Sequence, residues 1–142
     1  FFLYNFPPAK IYMGNSGSHF LGFVLAAIAL AISYAPLERK TALLSPLLIL
    51  GFPIFDTAFL ILMRLKQGRS IFKKSDDHLA LRFLKLGYSK NKALLFMLII
   101  AFFFALAGVV VSSASNLSGL ILIVFTVLVS FVLTQKMGKV SI

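Results

Sequence analysis

The sequence predicts an all-α protein: a polytopic transmembrane helical bundle with four complete spans, the end of a fifth, and a basic loop holding a short amphipathic helix. Three observations carry that expectation. Of 142 residues, 60% are hydrophobic and only 13% charged, about half the roughly 25% of a soluble domain. The apolar residues come in long runs, with Asp56 the one charge between Thr41 and Met63 and none between Ala93 and Gln135. The fourteen Lys and Arg, against four acids, are gathered into a few segments. Cysteine is absent, which excludes disulfides, thiolate metal sites and cysteine nucleophiles.

Taken in order, Phe1–Phe6 is apolar but too short to cross a bilayer, and the chain does not open on methionine. We read it as the end of a further span, and residues 1–142 as a single membrane domain forming the C-terminal part of a larger protein. The complete spans are expected at about 20–36, 42–63, 93–111 and 117–134. Each approaches the roughly 20 apolar residues that about 30 Å of hydrocarbon demands. The polar patch Ser112–Asn116 splits the last apolar run into two helices. Between spans two and three lies a loop, 64–92. Within it Asp76 to Gly87 reads as a short helix, capped by Ser75 or Asp76 and closed by Gly87. Leu79, Phe83 and Leu86 share one face, suiting either a helix resting on lipid headgroups or a lid over a site.

The cations fix the orientation. Loop 64–92 has nine of them, and Lys10, Lys136 and Lys139 fall on its side; Arg39 and Lys40 stand opposite. Twelve against two places the loop, the N-terminal segment and the C-terminus in the cytoplasm, in a plasma (inner) membrane. The net charge of +10 is thus mainly a topology signal, and nucleic acid is not an expected partner.

Three polar features could bear chemistry. Asn5 to Ser18 sets Gly14 and Gly17 around Asn15 and Ser16, with Ser18 opening a helix. This suits a backbone pocket for an anion, or an ordinary turn between spans. Asp56 sits inside a span, about 12 Å from Arg64 along a helix. An acid there is costly unless paired or hydrated, so it either pairs with another helix or faces a cavity. His78 follows Asp76 and Asp77, whose plainest role is capping and charge balance. No HExxH, Walker loop or serine elbow is present.

These clusters, in this order, resemble the polyprenyl-phosphate N-acetylhexosamine-1-phosphate transferases, glycosyltransferase family 4. The resemblance runs from about Leu3 to about Ser89. The family's Asn-x-x-Pro-Ala-x-x-Phe-Met-Gly-Asp-x-Gly-Ser block matches Asn5 to Ser18, with Tyr12 for Phe and Asn15 for Asp. Its Pro-Ile-Phe-Asp-Thr run, then Arg and Gly-Arg-Ser, matches Pro53–Thr57, Arg64 and Gly68–Ser70. Its His-x-His-His-Arg-Leu segment falls on His78–Phe83, where Ala80 and Leu81 replace two histidines and His78 and Arg82 remain. The surroundings are closer to the sugar-1-phosphate branch than to the phospho-MurNAc-pentapeptide translocase.

The resemblance implies transfer of an N-acetylhexosamine-1-phosphate from a UDP-amino sugar to a polyprenyl phosphate, with Mg²⁺, at the start of cell-wall or surface polysaccharide synthesis. It assigns Asn15 and His78 to catalysis, Asn15 standing at the metal-ligand position. It assigns Asn5, Lys10, Gly14, Gly17, Ser18, Asp56, Arg69 and Arg82 to substrate binding, and it leaves a homodimer open. Asn15, Ala80 and Leu81 support a second reading, a catalytically impaired member that binds or assembles at the membrane. A transporter rests on Asp56 alone.

Overall fold

In the computed structural model, residues 2–5, 8–31, 39–71 and 78–140 are described. Among them the fold is wholly helical. The chain divides into two compact units, Phe1–Ser33 and Tyr34–Ile142.

The first unit holds α1, Phe2–Asn5, and α2, Gly14–Ala31. The helix expected to open at Ser18 starts earlier, at Gly14, which takes φ +66°, a conformation open to glycine at little cost. Ser18 lies inside the helix and donates its hydroxyl to the Asn15 carbonyl at 2.9 Å. The far end of the first expected span, beyond residue 31, lies outside the described residues.

In the second unit the span expected over 42–63 is bent. A 3-10 turn, Lys40–Leu44, leads into α3, Ser45–Ile49, and the chain then breaks at Leu50 before α4, Gly51–Lys66. The two arms meet at 73°. Pro53 is the third residue of α4, so its missing N–H falls in a first turn that has no intrahelical acceptors. Pro46 stands likewise at the start of α3. The bend lays α3 across α6, Lys90–Ser113, at Gly108. A Cβ there would stand 2.8 Å from both the Ser45 carbonyl oxygen and the Ile49 nitrogen.

Helices α6 and α7 (Asn116–Gly138) are long and apolar enough to cross a membrane; the bent pair counts as a third if it is one span. At 24 and 23 residues they are about 35 Å long, which exceeds the hydrocarbon thickness. Ser89 and Ser115 cap them through their side chains, accepting from the Lys92 and Ser118 nitrogens. Among the described residues, then, two or three membrane-capable helices stand where four spans were expected.

The loop helix α5 spans Leu79–Lys85, shorter than expected; Ser75, Asp76 and Asp77 lie outside the described residues. Its apolar face does not rest outside the bundle. Leu79 and Phe83 join Phe55, Phe59 and Met63 of α4 and Ala93 and Phe104 of α6 in one buried cluster. Leu86, expected on that face, is the C-cap and exposed. The exit is a full Schellman turn: Gly87 N–H bonds Leu84 O, Tyr88 N–H bonds Phe83 O, and the Phe83 and Tyr88 rings meet edge to face.

Hydrogen bonds pin both ends of the unit. At one end Arg39 Nη1 donates to the Ser113 carbonyl and Thr41 Oγ1 to Asn116 Oδ1. At the other, basic end, α5 and the close of α7 come together.

Candidate functional site

The polar residues of the basic end are set by α4. Its buried stripe, Phe55, Phe59 and Met63, recurs every fourth residue and turns Asp56 toward the start of α5. The Asp56 carboxylate is engaged on both oxygens. Oδ1 accepts the Leu79 backbone N–H at 3.2 Å, and Oδ2 lies 3.2 Å from His78 Nδ1. Leu79 is the first helical residue of α5, and its N–H would have no partner within the helix. The Leu79 N–H is thus capped from another helix, and the His78 side chain makes no cap bond; Ser75 and Asp76, the expected caps, lie outside the described residues. A carboxylate at a helix start is also favoured by the helix dipole.

His78 Nδ1 faces the Asp56 carboxylate, and Nε2 lies on the opposite edge of the ring. The His78 side chain is 51% exposed and that of Asp56 22%. Asp56 is paired within the protein, its partners being His78 and the first residue of a loop helix.

Arg82 and Arg64 are buried. Arg82 Nη1 donates to the carbonyls of Met137 and Val140 at 2.8 and 2.6 Å, and its Cζ stands 5.1 Å from the centre of the Phe59 ring. A cation at the carbonyl end of α7 meets the negative pole of that helix. Arg64 Nη1 donates to the Ser70 and Ile71 carbonyls, each at 2.9 Å, and so holds the chain leaving α4. Arg69 lies exposed in that segment. Two of the loop's cations are thus committed to backbone carbonyls, which nothing in the local charge pattern announces.

The other assigned residues belong to the first unit. Asn5 Nδ2 donates to the Ile11 carbonyl at 2.8 Å, and Lys10 N–H bonds Tyr4 O at 2.8 Å. Together they close a tight loop ahead of α2. Lys10, Gly14, Asn15 and Ser18 are exposed and Gly17 half-buried. Asn15 offers a neutral side-chain carbonyl. Among the described residues no three His, Cys, Asp or Glu side chains converge as a metal site.

The arrangement offers an imidazole held by a carboxylate at the basic end of an apolar bundle, and a separate Gly-Asn-Ser-Gly-Ser helix start. Between α6 and α7 runs an apolar cavity of about 310 Å³. The Thr126 and Ser130 hydroxyls on its wall bond back to carbonyls of their own helix, leaving little there for a polar ligand.

Comparison with known proteins gives these features a context. The sequence model described as glycosyl transferase family 4 matches residues 1–33. A probable undecaprenyl-phosphate N-acetylglucosaminyl 1-phosphate transferase of Bacillus subtilis is 32% identical over 141 residues, 99% of this chain and 39% of that protein. A decaprenyl-phosphate N-acetylglucosaminephosphotransferase of Mycobacterium leprae is 36% identical over 106 residues, 67% of this chain and 26% of that protein. An undecaprenyl-phosphate alpha-N-acetylglucosaminyl 1-phosphate transferase of Thermotoga maritima is 32% identical over 78 residues, 55% of this chain and 25% of that protein. The chain spans less than half the length of each of these relatives. No solved structure matches it.

Proposed function

Because this chain belongs to glycosyl transferase family 4, we propose that it forms part of a membrane enzyme moving a sugar-1-phosphate from a UDP-amino sugar to a polyprenyl phosphate. The observation that carries this reading is the likeness to the Bacillus subtilis protein along 99% of the chain. In the step, an oxygen of the lipid phosphate attacks the β-phosphorus of the UDP-sugar. The bond from that phosphorus to the bridging oxygen breaks, and UMP departs with the electron pair. Such chemistry needs mainly alignment and charge neutralisation.

Several features support the reading. The acceptor is a lipid and the donor is water-soluble, so the reacting groups must meet at one end of a membrane bundle. The basic end, with His78 on it, is the natural place. The excess of Lys and Arg puts that end in the cytoplasm, where the nucleotide is. Mg²⁺ would neutralise the diphosphate when bound. Asn15 would lend it a neutral oxygen, weaker for a hard cation than a carboxylate.

The test is to purify the protein that contains this chain and follow UMP release from UDP-N-acetylglucosamine, with polyprenyl phosphate in detergent. Release dependent on both substrates is expected, and Asn15→Asp should raise turnover at limiting Mg²⁺. No UMP from any UDP-amino sugar, with either side chain at residue 15, overturns the transferase reading. It would leave a binding or assembly role, which Asn15, Ala80 and Leu81 favour.

A further inference from the structure

We propose that Asp56 is a positioning residue for His78: its carboxylate selects the tautomer protonated on Nδ1 and leaves Nε2 as a hydrogen-bond acceptor toward a protonated phosphate oxygen. The assignment of a phosphate as the group met by Nε2 rests on the transferase reading; the tautomer and its cause do not.

The geometry carries the first part. One carboxylate meets two consecutive residues, accepting the Leu79 backbone N–H through Oδ1 and facing His78 Nδ1 through Oδ2, both at 3.2 Å. The backbone bond fixes the carboxylate against the start of α5, and the carboxylate then fixes the ring. Turning the imidazole over breaks the second bond; moving Asp56 to follow it breaks the first. Neither end is loose. Phe55 on α4 and Leu79 on α5, the immediate neighbours, lie in the same buried cluster. An imidazole without such a partner exchanges between tautomers. Here Nδ1 is held by an acceptor that cannot donate, so the free acceptor is Nε2.

The placement gives the second part its chemistry. The contact consumes the inner edge of a ring whose side chain is 51% exposed. A lone-pair nitrogen of fixed direction beside an apolar bundle suits a phosphate monoester that still carries one proton, since such groups lose their last proton near neutrality. A bare cation at that position would not read that proton. This places Asp56 one step from the substrate, acting through the ring.

The experiment is nitrogen NMR of the chain in lipid nanodiscs with ¹⁵N-labelled histidine. The chain has two histidines, and the His78 pair of signals is assigned with His78→Gln. The expected spectrum shows His78 Nδ1 protonated and Nε2 bare, collapsing toward averaged tautomers in Asp56→Ala while the His19 signals stay. A wild-type His78 that is averaged, or protonated on Nε2, overturns the proposal, and that result needs no variant to fold. In the UMP assay on the protein containing this chain, Asp56→Asn is expected to lower kcat at least tenfold with KM within about twofold. A rise in KM alone would make Asp56 a substrate ligand and overturn the positioning role. An inactive wild type with the expected spectrum would remove the transferase reading and leave the tautomer assignment standing.

Discussion

Arg82 Nη1 and the carbonyl of Val140 lie 2.6 Å apart across a separation of 58 residues. The same nitrogen reaches Met137 O, so one guanidinium ties the loop helix to the last turn of the last helix. Hydrogen bonds from a charged group onto carbonyls at a helix end are among the stronger ones available to a chain.

Arg82→Ala is therefore expected to destabilise the bundle by about 3 kcal/mol, read from the midpoint of unfolding in denaturing detergent. Arg82→Lys should recover only part of this, because a single ammonium cannot reproduce the planar donor that also lies over Phe59. If Arg82→Ala weakens UDP-sugar binding at unchanged stability, the tie to α7 is not what this residue is for.

Gly108→Ala should cost about 1–3 kcal/mol. The added methyl would meet backbone on α3, 2.8 Å from Ser45 O and from Ile49 N, and backbone cannot step aside as a flexible side chain can. The same unfolding measurement applies. A neutral result would mean that α3 does not cross α6 at this point.

At Gly87 the obstacle is conformation alone, since φ is +86° and a Cβ would meet nothing within 4 Å. Gly87→Ala is expected to lose about 1 kcal/mol, the cost of a left-handed L-residue, and Gly87→Asn less than that. Equal stability of all three would show that the Schellman exit is not kept.

Orientation can be read directly, because the chain has no cysteine of its own. Single cysteines in place of the exposed Lys85 and Lys136 should react with an impermeant maleimide only from the cytoplasmic side. Cysteines at Lys40 and Ser115, likewise exposed, should react only from the opposite side. The reverse pattern would invert the topology and put His78 on the side away from the cytoplasm.

Much of this was legible before any coordinates. The uncharged run from Ala93 to Gln135, interrupted by Ser112–Asn116, gives α6 and α7 to within four residues at each end. Gly87 marked the exit of α5. The break of the second span at Leu50, with Pro53 in the first turn of the next helix, was not legible in the sequence. What escaped was contact between elements. Asp56 and His78 are 22 positions apart, and a carboxylate capping another helix leaves no trace in local spacing. Nothing in local spacing marks Arg82 as a buried residue. It is buried because α7 ends against it, a matter of tertiary arrangement. The Asn5–Ser18 block was visible as a motif through resemblance, while the small loop closed by Asn5 on Ile11 depends on one side-chain amide.

The 73° bend has a bearing on how the protein is made. Helices α3 and α4 leave the ribosome before α6 exists, yet the floor on which α3 lies is the bare backbone at Gly108. Until that residue arrives, the interrupted backbone around Leu50 lacks the surface of α6, and lipid offers it no hydrogen bonds. The elbow therefore settles late in biogenesis. Slowing translation between the codons for Lys66 and Gly108 should prolong exposure of the elbow to membrane insertases and quality-control proteases.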